Sequence, residues 1–242
     1  MGEGGKPALR KACWSALREA GAARFPGVEG RIPNFKGAEA AARHVSELAV
    51  FQAASCIKCN PDLPQRPVRH AALKAGKRVY LAVPRLREAA CFIELDPDRL
   101  GPGRLWAASS IKGASALGRP LRPRELPRIC MVLTGCVGAG LDGARLGKGG
   151  GYSDLEFALL LEAGRIRREV PVVTTVHSSQ LLPSCTVPAD PWDVSIDHVA
   201  TERGLAPMED RLPRPEGLIW SALPEDRLSS IPALVELRQE KG

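Results

Sequence analysis

The sequence predicts an α/β protein built on a mostly parallel sheet, and three stretches carry that prediction. Residues 53–58 read as a short apolar strand, 60–65 as a loop, 67–75 as a helix closed by Gly76, and 78–84 as a second strand. Strand, loop, helix, glycine, strand is a right-handed βαβ unit by rule. The apolar run 129–134 enters a glycine-rich loop, and an apolar periodic run containing Leu155, Leu159 and Leu160 leaves it as a helix. Residues 170–176, Val-Pro-Val-Val-Thr-Thr-Val, are β-branched and continuous, the pattern of a strand buried on both faces of a parallel sheet.

The remaining elements follow in chain order. Residues 7–22 form an amphipathic helix, with Leu9, Cys13, Leu17 and Ala20 on one stripe and Lys6 and Arg10 sharing a face at its start. Taken alone, that pair is an ordinary solvated basic face. Residues 24–37 are loop by composition, and Phe25 and Phe35 within it suggest a loop folded onto the body or onto a ligand. Residues 38–48 are an alanine-rich helix, and 91–95 an edge strand. Residues 100–124 have weak periodicity and fix no element. His177 follows the 170–176 strand at its carboxyl end, where open α/β sheets place ligands, although a lone histidine there is more often structural. The final stretch is proline-rich and then helical, with Leu228, Ile231, Leu234 and Leu237 spaced for one face.

Composition narrows the function classes. A chain of 242 residues with 44% apolar and 25% charged content is that of an ordinary globular protein. A net charge of +7 fits anionic partners: nucleotide phosphates, a polyglutamylated cofactor or nucleic acid. No apolar run approaches the roughly 20 residues that span a bilayer, and no signal-type apolar segment opens the chain, so the cytoplasm is the expected location. The 7 cysteines include a C-x-x-C pair, Cys56 and Cys59, with no second pair or nearby histidine to complete a zinc site, so they are expected to be reduced and structural.

The chemistry is concentrated between Gly138 and Asp154, where 7 of 17 residues are glycine. Strand, glycine loop and helix present free backbone N–H groups and a positive helix end to an anion. Arg145 and Lys148 add charged donors, and Asp154 falls in the first helical turn, placed to cap the helix or to hold Mg²⁺. Neither the Walker spacing nor the dinucleotide phase occurs here. Glycines alone describe a mobile surface loop. The interleaved Arg, Lys, Tyr152 and Asp154 argue instead for a phosphate site.

Arg145-Leu-Gly-Lys-Gly-Gly-Gly-Tyr-Ser-Asp154 resembles the Arg-Leu-Gly-Arg-Gly-x-Gly-Tyr-Tyr-Asp motif of 5-formyltetrahydrofolate cyclo-ligases (methenyltetrahydrofolate synthetases), with Ser153 in place of the second tyrosine. Residues 187–202, containing Pro-Trp-Asp193-Val-Ser-Ile-Asp197, resemble the family's Pro-His-Asp-Val-x-Val-Asp stretch, with Trp192 at the usual histidine. Lys6-Pro-Ala-Leu-Arg10 is similar to the family's N-terminal phosphate-contacting Lys-x-x-x-Arg helix. The 24–37 loop resembles a variant branch, the proteins described as containing a methenyltetrahydrofolate synthetase domain.

The resemblance implies a three-layer α/β/α, Rossmann-like cyclo-ligase fold over residues 1–204, with a C-terminal extension, 205–242, ending in a helix. It implies ATP- and Mg²⁺-dependent closure of 5-formyltetrahydrofolate to 5,10-methenyltetrahydrofolate, by a monomer or homodimer. Lys6, Arg10, Arg145, Gly147, Lys148, Gly149, Gly150, Gly151 and Tyr152 would contact ATP, with Arg145 and Tyr152 also catalytic. Asp62, Tyr152 and Trp192 would line the folate side, and Asp154 and Asp197 would converge on one Mg²⁺. The alternative is a non-catalytic folate-, nucleotide- or RNA-binding protein on the same fold, supported by Ser153, Trp192 and the 24–37 loop.

Overall fold

The computed structural model describes residues 5–209 and 211–241. Residues 1–4, 210 and 242 of the two expected segments lie outside the described residues. The helices are α1 Lys6–Glu19, α2 Ala38–Glu47, α3 Ala49–Ala53, α4 Arg66–Lys74, α5 Pro97–Leu100, α6 Leu105–Ala108, α7 Ile111–Leu117, α8 Tyr152–Glu162, α9 Glu225–Ser230 and α10 Pro232–Lys241. The strands are β1 Cys56–Cys59, β2 Arg78–Ala82, β3 Phe92–Leu95, β4 Arg119–Leu121, β5 Met131–Thr134, β6 Gly138–Gly140, β7 Arg145–Leu146, β8 Val172–Thr175, β9 Leu181–Leu182, β10 His198–Thr201 and β11 Gly204–Leu205.

Eight strands form the main sheet in the order β11-β10-β8-β5-β1-β2-β3-β4. The five central strands, β10 to β2, run parallel, and β11, β3 and β4 pair antiparallel at the two ends. Register is set by apolar residues facing both layers: Ile57 opposes Val79 on one side and Met131 on the other, and Val132 opposes Val172. On one face Ile57, Met131 and Val173 pack with Leu17 of α1, Val45 of α2 and Leu73 of α4. On the other face Tyr80, Val132 and Val172 pack with Leu155, Leu159 and Leu160 of α8 and with Ile231 and Leu234. The expected three-layer α/β/α arrangement is therefore present. The C-x-x-C pair is divided between these layers, Cys59 in the first core and Cys56 in the second, because residues three apart on a strand face opposite ways.

Two stretches differ from expectation. The loop between β5 and α8 contains strands of its own: β6 pairs antiparallel with β7 and parallel with β9. Ala139 and Leu146 are fully buried there, and two apolar residues among glycines are too few to show alternation in the sequence. Residues 97–117 fold as three short helices, two of them capped by Asp96 and Ser110 side chains on Asp98 and Gly113 N–H groups. Helices of four to seven residues complete too few turns to show a period. The 24–37 loop is folded onto the body: Phe35 is completely buried, whereas Phe25 is exposed.

Candidate active site

The carboxyl ends of β1, β2 and β5, the N-terminus of α8 and the start of α1 enclose one cleft of about 680 Å³. This is where an open α/β sheet leaves room for a ligand, since the helices that cover its faces diverge beyond the strand ends. Lys6, Arg10, Asp62, Arg145, the glycines at 147 and 149–151, Lys148, Tyr152, Asp154 and Trp192 all line it. Every expected site residue except Asp197 is brought together.

The glycine loop is shaped by its backbone. Gly149 has φ +105° and Gly151, the N-cap of α8, has φ +63°, conformations that a side chain strains. Tyr152 then starts an 11-residue helix whose positive end faces the cleft. Arg10 Nε donates to Gly147 O at 2.7 Å, which ties the start of α1 to the loop. Lys148 Nζ lies 3.8 Å from Asp62 Oδ1 across the cleft. Burial pushes the Asp62 carboxyl up from its ordinary range against the opposing pull of Lys148, Arg69 and Lys58.

Arg145 is almost wholly buried. Its Nη2 donates to Asp154 Oδ2, and Nη1 to Gly135 O at 3.2 Å, while the buried Nε has no hydrogen-bond partner. Burial lowers the guanidinium's proton affinity, but Asp154 outweighs it and the balance is raised. One cleft cation thus keeps a donor unspent, at a cost of about 1–3 kcal/mol. Asp154 also accepts Val194 N–H at 3.1 Å, which pins the second motif against α8.

The second motif brings Asp193 into the cleft, and not Asp197. Asp193 accepts from Lys6 Nζ at 2.6 Å and from Asp190 N–H at 2.8 Å. Lys6 is pulled down by burial, but the facing Asp190 and Asp193 outweigh that and raise it. Asp197, just before β10, does not line the cleft. Its carboxylate accepts Val172 N–H at 2.7 Å and is paired with the Arg214 and Arg211 guanidinium groups. The expected convergence of Asp154 and Asp197 on one cation is therefore corrected: Asp197 is consumed by the β8–β10 junction, and the carboxylate that the second motif brings beside Asp154 in the cleft is Asp193. Among the described residues no group of three or more His, Cys, Asp and Glu is placed to hold a metal ion. Two carboxylates suit Mg²⁺, which keeps water and substrate phosphates in its remaining positions.

His177, at the end of β8, does not line the cleft. Its Nε2 is 3.5 Å from Glu202 and its Nδ1 2.9 Å from Ser179 Oγ, a structural role.

A polar floor was missed by sequence reasoning. Lys58, 1% exposed in the centre of β1, is ion-paired with Glu156 of α8. Asn60 Nδ2 donates to the same Glu156 oxygen, Ser153 Oγ donates to Asn60 Oδ1 at 3.3 Å, and Ser153 meets Thr134 Oγ1 at 2.8 Å. Ser153, the departure from the family motif, is thus one member of a connected polar network. Lys58 in an apolar strand and Glu156 in an apolar helix were the available signals. Gly30 and Ile32 of the 24–37 loop, together with Arg85, also line the cleft. Arg85 and the adjacent Leu86 both have positive φ, the kind of strain that gathers at binding sites.

The model of the 5-formyltetrahydrofolate cyclo-ligase family matches residues 3–202. The methenyltetrahydrofolate synthase domain-containing protein of Mus musculus is 33% identical over 241 residues, which is 98% of this chain and 64% of that protein. The Danio rerio protein of the same description is 32% identical over 238 residues, 97% of this chain and 62% of that one. The chain therefore spans a little under two thirds of the length of these relatives. The solution structure of Aquifex aeolicus 5,10-methenyltetrahydrofolate synthetase aligns with 90% of this chain and 99% of its own, at a TM-score of 0.53 and 19% identity, a likeness of fold.

Proposed function

The chain belongs to the 5-formyltetrahydrofolate cyclo-ligase family, and we propose that it closes 5-formyltetrahydrofolate to 5,10-methenyltetrahydrofolate at the expense of ATP. The observation that carries this reading is the grouping of Lys6, Arg10, Arg145, Lys148 and the α8 N-terminus around Asp154 and Asp193 in one cleft. In the proposed reaction the formyl oxygen attacks the γ-phosphorus and ADP leaves. The neighbouring nitrogen then closes on the formyl carbon and expels phosphate. Such a transfer needs alignment and charge neutralisation more than a protein nucleophile.

Lys6, Arg10 and Lys148 supply charge on the phosphate side, and the N–H groups of the glycine loop supply directed donors. Binding of triphosphate would draw Lys6 from Asp193 and meet the unspent Arg145 donor. Asp154 and Asp193 would hold Mg²⁺, which when bound neutralises phosphate oxygens and orients them. Tyr152 and Trp192 provide aromatic surface beside the loop, and Asp62 with the Ser153–Asn60–Glu156 floor provides polar contacts to a heterocycle. The cleft, at about 680 Å³, has the size of a small-molecule or cofactor site.

The test is turnover by purified protein with 5-formyltetrahydrofolate, Mg²⁺ and ATP, following methenyl absorbance together with phosphate release. Coupled appearance of both is the expected result. Binding of ATP or folate with neither product would instead support a binding protein on the same fold.

A further inference from the structure

The family match ends at residue 202, yet the chain beyond it is built into the cleft's supporting wall. Helix α8 carries Leu155, Phe157, Leu159 and Leu160 on nearly all its sides, and a helix apolar all round needs cover on both. The sheet covers one side. Ile231, Ala233, Leu234 and Leu237 of the last segment, all buried, share the same apolar cluster. From α9, which this packing holds in place, Arg227 reaches back to the glycine loop. Its Nη2 donates to Gly150 O at 2.8 Å, and its guanidinium carbon lies 5.0 Å from the Tyr152 ring centre. Its Nη1 would be 3.2 Å from a Cβ placed on Gly151. One half-buried side chain therefore meets Gly150 and Tyr152, on either side of Gly151, where the loop becomes the helix.

We propose that Arg227 is a positioning residue of the cleft, supplied by the segment beyond the family's common core. It acts through the loop, since it is not itself among the lining residues. A run of glycines loses more backbone freedom on ordering than any other sequence, so an unrestrained loop would meet a phosphate in many geometries. Fixing the Gly150 carbonyl and the Tyr152 ring selects the one in which the loop N–H groups and the α8 N-terminus face the same ligand. The planar guanidinium suits both contacts at once, a hydrogen bond in its plane and an aromatic ring against its face. Its part in nucleotide binding rests on the function proposed above, whereas its hold on the loop does not.

The test compares wild type with Arg227→Ala, Arg227→Lys and a neighbouring control, Ser229→Ala. Amide hydrogen exchange over residues 147–152 of the ligand-free protein is measured first, then the affinity for MgATP. Arg227→Ala is expected to exchange about tenfold faster across the loop, as loss of a hydrogen bond from a charged donor implies. Its thermal midpoint should match that of Ser229→Ala, and its affinity for MgATP should fall about tenfold, with Arg227→Lys between. Unchanged exchange across the loop in Arg227→Ala would overturn the proposal. So would a freed loop with undiminished nucleotide affinity. A freed loop in a protein whose wild type binds no nucleotide would refute the proposed function and leave the hold on the loop standing.

Discussion

Two cation–aspartate assemblies meet the second motif four residues apart, at Asp193 and at Asp197. At the cleft, Asp193 is paired with the partly exposed Lys6 and Asp154 with the buried Arg145, and all four line the cavity. At the sheet edge, Asp197 is bound by Val172 N–H and two arginines, and Arg214 spends its donors on Ser195, Arg168 and Val170 carbonyls as well. Burial and the neighbouring Arg211 and Arg168 push Arg214 down to about 10, against the pull of Glu169. The same residue types line a cavity in one place and join two strands in the other. Backbone N–H groups meet the carboxylates in both, and what separates them is that only Asp154 and Asp193 also line the cavity.

The largest effects should come from breaking each assembly. Arg145→Ala leaves the buried Asp154 carboxylate without its cation and should lose about 3–5 kcal/mol in urea unfolding, whereas Arg214→Ala leaves Asp197 paired with Arg211 and should lose less. Only Arg145→Ala should also abolish MgATP binding by calorimetry. The cleft floor should behave as a matched pair. Lys58→Met alone should cost about 3 kcal/mol by stranding Glu156, and Lys58→Met with Glu156→Leu should recover most of it. If the double variant retains stability but loses folate affinity, the network is there for the ligand.

Lys6→Ala should change stability by less than about 1 kcal/mol, because the pair is partly exposed. It should nevertheless raise KM for ATP about tenfold, which steady-state kinetics would show. The smallest effect concerns Asp62. Its folded carboxyl titrates above the ordinary 3.8, so the native state binds more protons than the unfolded chain just above that pH. Stability should therefore fall as pH rises through this window. Asp62→Asn should flatten that part of the profile in pH-resolved thermal melts.

Much of the site was legible because its residues are unusual for their context. Arginine, lysine and a tyrosine spaced among glycines before an apolar helix have few structural explanations, and Lys6 and Arg10 fall one turn apart. The sheet was legible from unbroken apolar runs. The sequence alone favours Asp197 over Asp193, because the neighbours in space that distinguish them, Arg214 and Lys6, are remote in the chain. Lys58 and Glu156 explain each other only once β1 lies beside α8. Arg227 looks like any basic residue of an exposed helix until the packing of Ile231 and Leu234 brings it to Gly150.

The central claim is that Asp154 and Asp193, not Asp197, serve a nucleotide-bound cation in the cleft. Calorimetric titration of ATP, with and without Mg²⁺, into wild type, Asp193→Asn and Asp197→Asn tests it directly. The Mg²⁺-dependent gain in affinity should disappear in Asp193→Asn and persist in Asp197→Asn, whose loss appears as a lowered thermal midpoint. Persistence of the gain in Asp193→Asn with its loss in Asp197→Asn would contradict the assignment.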